Sequence, residues 1–306
     1  MSKTSFLQPD QIGTLAIRVL MPDLIEKFQN LHHDFPDELK HEVYYEELNR
    51  SIEYNANPAP INTLAELRDD GTICVYEPYL AFLWCLCYCV VVFYKERDKD
   101  TSKSIPYNEA IELFNYAQSL HVNWSSWNLD LPNPELCDPT DDNIAHTNGL
   151  FIFAACFILC HEFSHKQLGH SYDVMTSEQS IMEEFAADTA ALATFEKALL
   201  RSDMAEGEVF SIQLGAILGM GSILFPHDSL DGGLYHPNSE ERLYRTIQFF
   251  SEEDGEFWEF GRLLLILWGL TNRKTFDFGS ITTLALSVRQ RYRAMADQLK
   301  TQQRFQ

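Results

Sequence analysis

Two histidines four residues apart flank a glutamate in the stretch FILCHEFSHKQLGH, Phe157 to His170. On an α-helix, residues at that spacing point the same way, so His161 and His165 present two imidazoles one turn apart. A single tetrahedral zinc ion can bridge that separation. Glu162 follows His161 directly and lies about 100° around the helix from it. It can reach a water on the metal without taking a coordination position itself. The chemistry of this HExxH arrangement is hydrolysis: the zinc polarises a water, and the glutamate removes its proton and later donates it. The preceding run GLFIFAACFILC is apolar. It marks a buried segment, where His and Glu need partners.

Catalytic zinc needs a third protein ligand and a water. His170 stands five residues after His165 and is one candidate. The metzincin pattern HExxHxxGxxH does not extend to it, because Leu168 and Ser171 occupy the glycine and histidine positions. The other candidate lies in IMEEFAADTAA, where Glu184 and Asp188 are four apart and share a helical face. Glu184 can ligate zinc through a carboxylate oxygen. Asp188 can accept a hydrogen bond from the second nitrogen of a ligand imidazole and fix its tautomer. Glu183 can replace Glu184, although it does not stand one turn from Asp188.

HEFSH, then EEFAAD, then LYHPNSEERL resemble the ordered elements of gluzincin metallopeptidases of the Ste24/HtpX type. The matching positions are His161-Glu162-His165, Glu184 with Ala187-Asp188, and His236-Pro237 with Arg242. The resemblance implies zinc on His161, His165 and Glu184, with Glu162 as general base. It also implies that His236 donates to the oxyanion of the tetrahedral intermediate, and that Arg242 pairs with Asp188 or Glu184. That type carries several transmembrane helices, whereas this chain has one doubtful span. Its length, the mid-chain position of HEFSH and the HEF-x-H form are similar to the Lit-type phage-exclusion peptidases. Those are bacterial HExxH proteins that cleave elongation factor Tu when infection is sensed. The rival expectation is a regulatory or binding protein on a zincin scaffold. Its metal would be structural and closed by a fourth protein ligand, for which His170 is the nearby candidate.

The elements that must position these residues are two helices. One spans about Thr147 to Leu168, stopped by Gly169, and one spans about Glu178 to Arg201. Either Thr176 with Gln179 or Ser180 with Glu183 fits a capping box at the second helix's start. Apolar periodicity elsewhere predicts a mainly α fold with a small β element; the resemblance implies that it is zincin-like, with the two central helices carrying the ligands. Residues 1–70, including FPDELKHEVYYEELNRSIEY, read as an N-terminal helical subdomain, and NANPAPIN as a boundary loop. Residues 71–306 read as the zincin-like catalytic domain, or the whole chain as one continuous domain. TICVY, Thr72 to Tyr76, is the expected strand, and the expected edge against which an extended substrate aligns. NLDLPNPELCDPTDDN, with its prolines and aspartates, is expected to be an exposed loop.

Composition narrows the partners. The chain of 306 residues has a formal charge of −22, and a phosphate backbone requires a cationic surface, so nucleic acid is excluded. The partner that the gluzincin resemblance implies is a protein or peptide substrate. Seven cysteines, an odd number lying mostly in apolar segments, read as reduced thiols in a reducing, cytoplasmic compartment. MSKTSFLQPD carries no secretory signal. YLAFLWCLCYCVVVFY is uncharged, and as a helix it spans about 24 Å against a bilayer core of about 30 Å. A buried core helix is the expectation there, and inner-membrane association the alternative. No GxxxxGK[ST] or post-strand GxGxxG occurs. Ser164 has no nucleophile elbow, and Cys160 points away from the adjacent His161.

Overall fold

The computed structural model describes residues 16–33, 52–55, 65–67, 73–97, 104–120, 127–128, 130–136, 142–170, 176–200, 204–277 and 287–303. A 3-10 turn, Ala16–Leu20, leads into α1 (Met21–His33). Three strands follow: β1 (Ile52–Asn55), β2 (Ala65–Leu67) and β3 (Ile73–Tyr76). Then come α2 (Glu77–Glu96), α3 (Ile105–Ser119), a 3-10 turn at Pro134–Leu136, α4 (Asp142–Gln167) and α5 (Ser177–Leu199). The last four are α6 (Glu206–Ser222), α7 (Ser239–Phe250), α8 (Phe257–Thr271) and α9 (Val288–Gln303). Helix dominates the described residues, as the periodicity predicts.

α2 is apolar around its whole circumference, and a helix of that kind is stable only inside a core. Every residue from Glu77 to Val92 is buried, with α3 and α4 packed against it. Pro78 pre-sets the helical φ in the first turn. The fully buried Glu77 carboxylate beside it takes two hydrogen bonds from Arg18, at 2.7 and 3.2 Å. α2 and α4 are each long and apolar enough to cross a membrane. However, 89% and 78% of their most apolar windows are covered by the rest of the protein. Residues 79–94 are therefore the core of this fold.

α4 is the other central helix, in contact with α1, α2, α5, α6 and β2. Its approach to α6 is set by two glycines four residues apart. A Cβ on Gly219 would lie 2.6 Å from the carbonyl oxygen of Ala154, and one on Gly215 would collide with Phe153. The two backbones can come this close only where α6 has no side chain. Tyr79 and Ser222, with hydroxyls 2.8 Å apart, tie the end of α6 to α2.

The sheet has the order β1-β3-β2, with β1 parallel and β2 antiparallel to β3. TICVY does supply a strand, but it is the central one. Its main-chain groups are engaged on both sides, so it cannot be the edge that receives a substrate. Among the described residues the outer strands are β1 and β2, and β2 is the one beside α4. Ile52 to Tyr54, at the end of the expected N-terminal helix, lie in β1 instead, where they pair in parallel with β3. The rest of that expected helix, and most of NANPAPIN, lie outside the described residues. β1 and β2 precede residue 70 and pair with β3 after it, and residues 16–31 share a hydrophobic core with α2 and α4. The described parts of 1–70 and 71–306 thus meet in one sheet and one core. LPNP, Leu131 to Pro134, is buried and not exposed. Asn133 makes this possible by donating to the Leu131 carbonyl and accepting from the Glu135 N–H.

Glycine at 219 is predicted to be required for packing. Gly219→Ala is expected to cost about 1–3 kcal/mol through overpacking and to lower the melting temperature. Gly207→Ala, at a position in the same helix with nothing within 4 Å of an added Cβ, should leave it unchanged or raise it. Thermal denaturation of the two variants beside the wild type checks the contrast.

Candidate active site

The last two turns of α4 carry His161, Glu162 and His165 inward, and all three side chains are buried. α4 ends in a Schellman turn. The Gly169 N–H donates to Lys166 O at 3.2 Å and the His170 N–H to His165 O at 3.0 Å, with Gly169 at φ +66°. α5 begins at a capping box built by Thr176 and Gln179, the first of the two expected starts. It brings Glu184 and Asp188, both buried, against the end of α4. α7, which follows Asn238, supplies the buried Arg242 from its first turn. Residues scattered over 81 positions of sequence therefore converge in one place.

Three donor residues face one another, Glu184 through Oε2 to His161 and through Oε1 to His165. The Nε2 atoms of His161 and His165 are 3.1 Å apart. The Glu184 carboxylate oxygens lie 3.4 Å from His161 Nε2 and 3.6 Å from His165 Nε2. Donors held about 2.0–2.1 Å from one tetrahedral ion stand about 3.3–3.4 Å from each other. The observed separations bracket that edge length, so this donor set fits a zinc ion. Charge points the same way. Glu162, Glu184 and Asp188 bury three carboxyl groups beside the single guanidinium of Arg242, an acidic pocket that suits a cation.

The surrounding residues orient the donors. Asp188 Oδ1 lies 2.9 Å from Nδ1 of His161, an ion-pair distance that misses hydrogen-bond alignment. Arg242 grips Asp188 with both arms, Nε and Nη2 donating at 2.8 and 2.7 Å. Its Nη1 lies 3.2 Å from Glu184, and Nη2 stands 3.5 Å from His161 Nε2. Arg242 thus pairs with both of the carboxylates named for it from sequence. His170 meets His165 at its Nδ1, on the side of the ring away from the converging donors, with the two nitrogens 2.9 Å apart. The main chain of Leu67, on β2, hydrogen-bonds the Glu162 carboxylate.

Burial disfavours charge on His161, but Asp188 and Glu184 outweigh it and raise its pKa to about 10. The carboxylate field there favours a cation of any kind. Burial and the charge of His161 lower His165 to about 3, so its imidazole is neutral, as a ligand must be. Glu162 is pushed up from the usual carboxylate range chiefly by burial, a shift in the direction a proton carrier needs. Burial opposes ionisation of Glu184 and Asp188 too. In Glu184, hydrogen bonds from His161 and His236 and the charge of Arg242 prevail; in Asp188, the Arg242 charge and His161 do. Both are held below the ordinary range.

His236 differs from the rest. Its side chain is 61% exposed, and its Nδ1 lies 3.4 Å from Glu184 Oε1, at the solvent mouth of the cluster. The loop that presents it closes on itself. A Cβ on Gly232 would collide with the carbonyl oxygens of His236 and Pro237. The Gly232 N–H donates to Asn238 Oδ1 at 3.2 Å, and Gly233 takes a φ of +72°. Ser180 of α5 donates to the Tyr235 carbonyl at 2.6 Å and pins the loop to the helix that bears Glu184. Gly232, Ser180 and the orienting position of His170 were not foreseen from sequence. The Gly-Gly pair was a visible turn signal, whereas the partners of Ser180 and His170 arise only on folding.

No curated protein and no solved structure matches the chain. The model of one family, Peptidase U49, matches residues 73–261, from β3 through the first turns of α8, and so includes every residue of the cluster. Of the 306 residues, that span covers 261 − 73 + 1 = 189, more than half. The chain belongs to the Peptidase U49 family, the Lit-type peptidases, and is by that membership a protease.

Proposed function

We propose that this protease is a zinc-dependent endopeptidase of the gluzincin type. His161, His165 and Glu184 would hold the ion. The observation that carries the reading is the convergence of three buried donor residues, with the histidine Nε2 atoms 3.1 Å apart and Glu184 oxygens 3.4 and 3.6 Å from them, contacts close to those around a tetrahedral ion. When bound, the ion supplies Lewis acidity for hydrolysis of the peptide bond. Glu162 takes the proton from the attacking water and passes it to the leaving amine, a role suited by its raised pKa. His236, exposed at the mouth, donates to the oxyanion that develops on the scissile carbonyl. Asp188 holds the His161 ring, and Arg242 neutralises Asp188 and Glu184. An extended substrate would add to the outer edge of β2, beside Glu162.

The substrate is an intracellular protein. Membership of the Lit-type family supports elongation factor Tu, cleaved in the cytoplasm as a defence against phage. A closed structural metal on a non-catalytic scaffold finds less support. Among the described residues the converging set holds three donors, and His170, the fourth ligand that reading needs, meets His165 at the opposite nitrogen.

Elemental analysis should find about one zinc per chain, as one tetrahedral site requires, and it should be lost in folded His161→Ala and Glu184→Ala. A wild type that takes up no zinc on re-addition would overturn the reading. Glu162→Gln should keep the metal and lose at least about 100-fold in cleavage rate, the contribution of a general base. Gel analysis of casein and of elongation factor Tu separates the two claims. Cleavage of casein alone retains the peptidase and removes the named substrate. Arg242→Met leaves two buried carboxylates without their counter-ion. It is expected to cost about 3–5 kcal/mol, measured by chemical denaturation.

A further inference from the structure

HKQLGH, His165 to His170, ends α4 in a Schellman turn, and this turn does more than stop the helix. In that motif the residue two past the cap folds back over the residue three before it, and the two usually make an apolar contact. Here those positions are His170 and His165. The main-chain bond from His170 N to His165 O, at 3.0 Å, closes the turn. The same two residues meet a second time through their rings, Nδ1 to Nδ1 at 2.9 Å, with the ring planes at 69°. The contact lies opposite the Nε2 that faces His161 and Glu184.

Resting on the zinc-site reading above, we infer that His170 is a positioning residue for the metal. Its Nδ1 accepts a hydrogen bond from the Nδ1–H of His165, fixing the His165 ring and the tautomer that leaves Nε2 free to ligate. The role needs an acceptor on one side chain and a glycine to fold that side chain back. Gly169, at φ +66°, supplies the backbone conformation that L side chains rarely adopt. Glu183, on α5, stands 4.0 Å from His170 Nδ1, beyond hydrogen-bond reach, and leaves that nitrogen to His165. His161 is held differently, by a carboxylate, so the two ligand histidines have unlike supports.

Three variants distinguish positioning from packing. His170→Leu restores the apolar contact of an ordinary Schellman turn without an acceptor. His170→Ala removes both. His170→Asn places an amide oxygen where Nδ1 stood. Zinc affinity, read by competition with a chromophoric chelator, should fall about 10–100-fold in the Leu and Ala variants and recover in the Asn variant. Thermal stability of the metal-free Leu variant should match the wild type. In the metal-free wild type, imidazole nitrogen shifts from NMR should show His165 as the Nδ1–H tautomer, and His170→Leu should lose that preference. Unchanged affinity in His170→Leu, or a wild-type His165 carrying its proton on Nε2, would reduce the contact to packing and overturn the inference. A wild type that binds no zinc would sink the peptidase mechanism instead, and the tautomer would then decide the role of His170 alone.

Discussion

Arg242 lies between Asp188 and Glu184 with only 8% of its surface exposed. A carboxylate taken out of water costs several kcal/mol unless it is paired, and this site buries three at the end of an apolar helix. The guanidinium reaches Asp188 in the two-pronged geometry that only arginine offers, and its remaining arm reaches Glu184. Two elements distant in the chain, α5 and α7, are thereby locked together beside His161 of α4. The far side of α7 is anchored in turn. Tyr292 of α9 donates to the Glu240 carbonyl at 2.9 Å, and Lys300 pairs with the buried Glu240 carboxylate. The C-terminal helix thus holds the helix that holds the charge balance.

Rigidity around this cluster comes from close helix approach. Gly215 and Gly219 let α6 meet α4 backbone to backbone, and α2 fills the remaining side with residues that have no exposed face. A helix gripped on all sides has little freedom to turn, so its last side chains keep their directions. That is what a catalytic constellation requires of its scaffold. The solvent side is built differently. His236 sits on a tight glycine loop pinned by Ser180, exposed where a substrate would arrive.

The two histidines of the cluster, His161 and His165, are treated in opposite ways. His161 is drawn toward a carboxylate and toward positive charge; His165 is drawn toward a neutral imidazole and away from it. The difference follows from position. His161, a turn earlier, faces the acidic side of α5. His165 occupies the last turn, where the chain reverses and His170 meets its ring at Nδ1.

Periodicity and spacing alone established the helical class and the HExxH pair on one helical face. They also established the glycine stop at 169 and narrowed the start of the next helix to two capping boxes, because each rests on contacts within a few residues. The order of HEFSH, EEFAAD and LYHPNSEERL selected the residues that meet in the cluster. Sequence could not choose the partner of Arg242, since both carboxylates satisfied the same rule; folding gave it both. Nor could it say which strand is the edge. TICVY has the composition of any half-buried strand, and its central place follows from long-range pairing with β1 and β2. LPNP reads as exposed by composition, yet Asn133 satisfies the backbone locally and lets it be buried. His170 appeared as a possible ligand because spacing counts residues, not ring nitrogens. Only the turn geometry at Gly169 decided which face of His165 it meets.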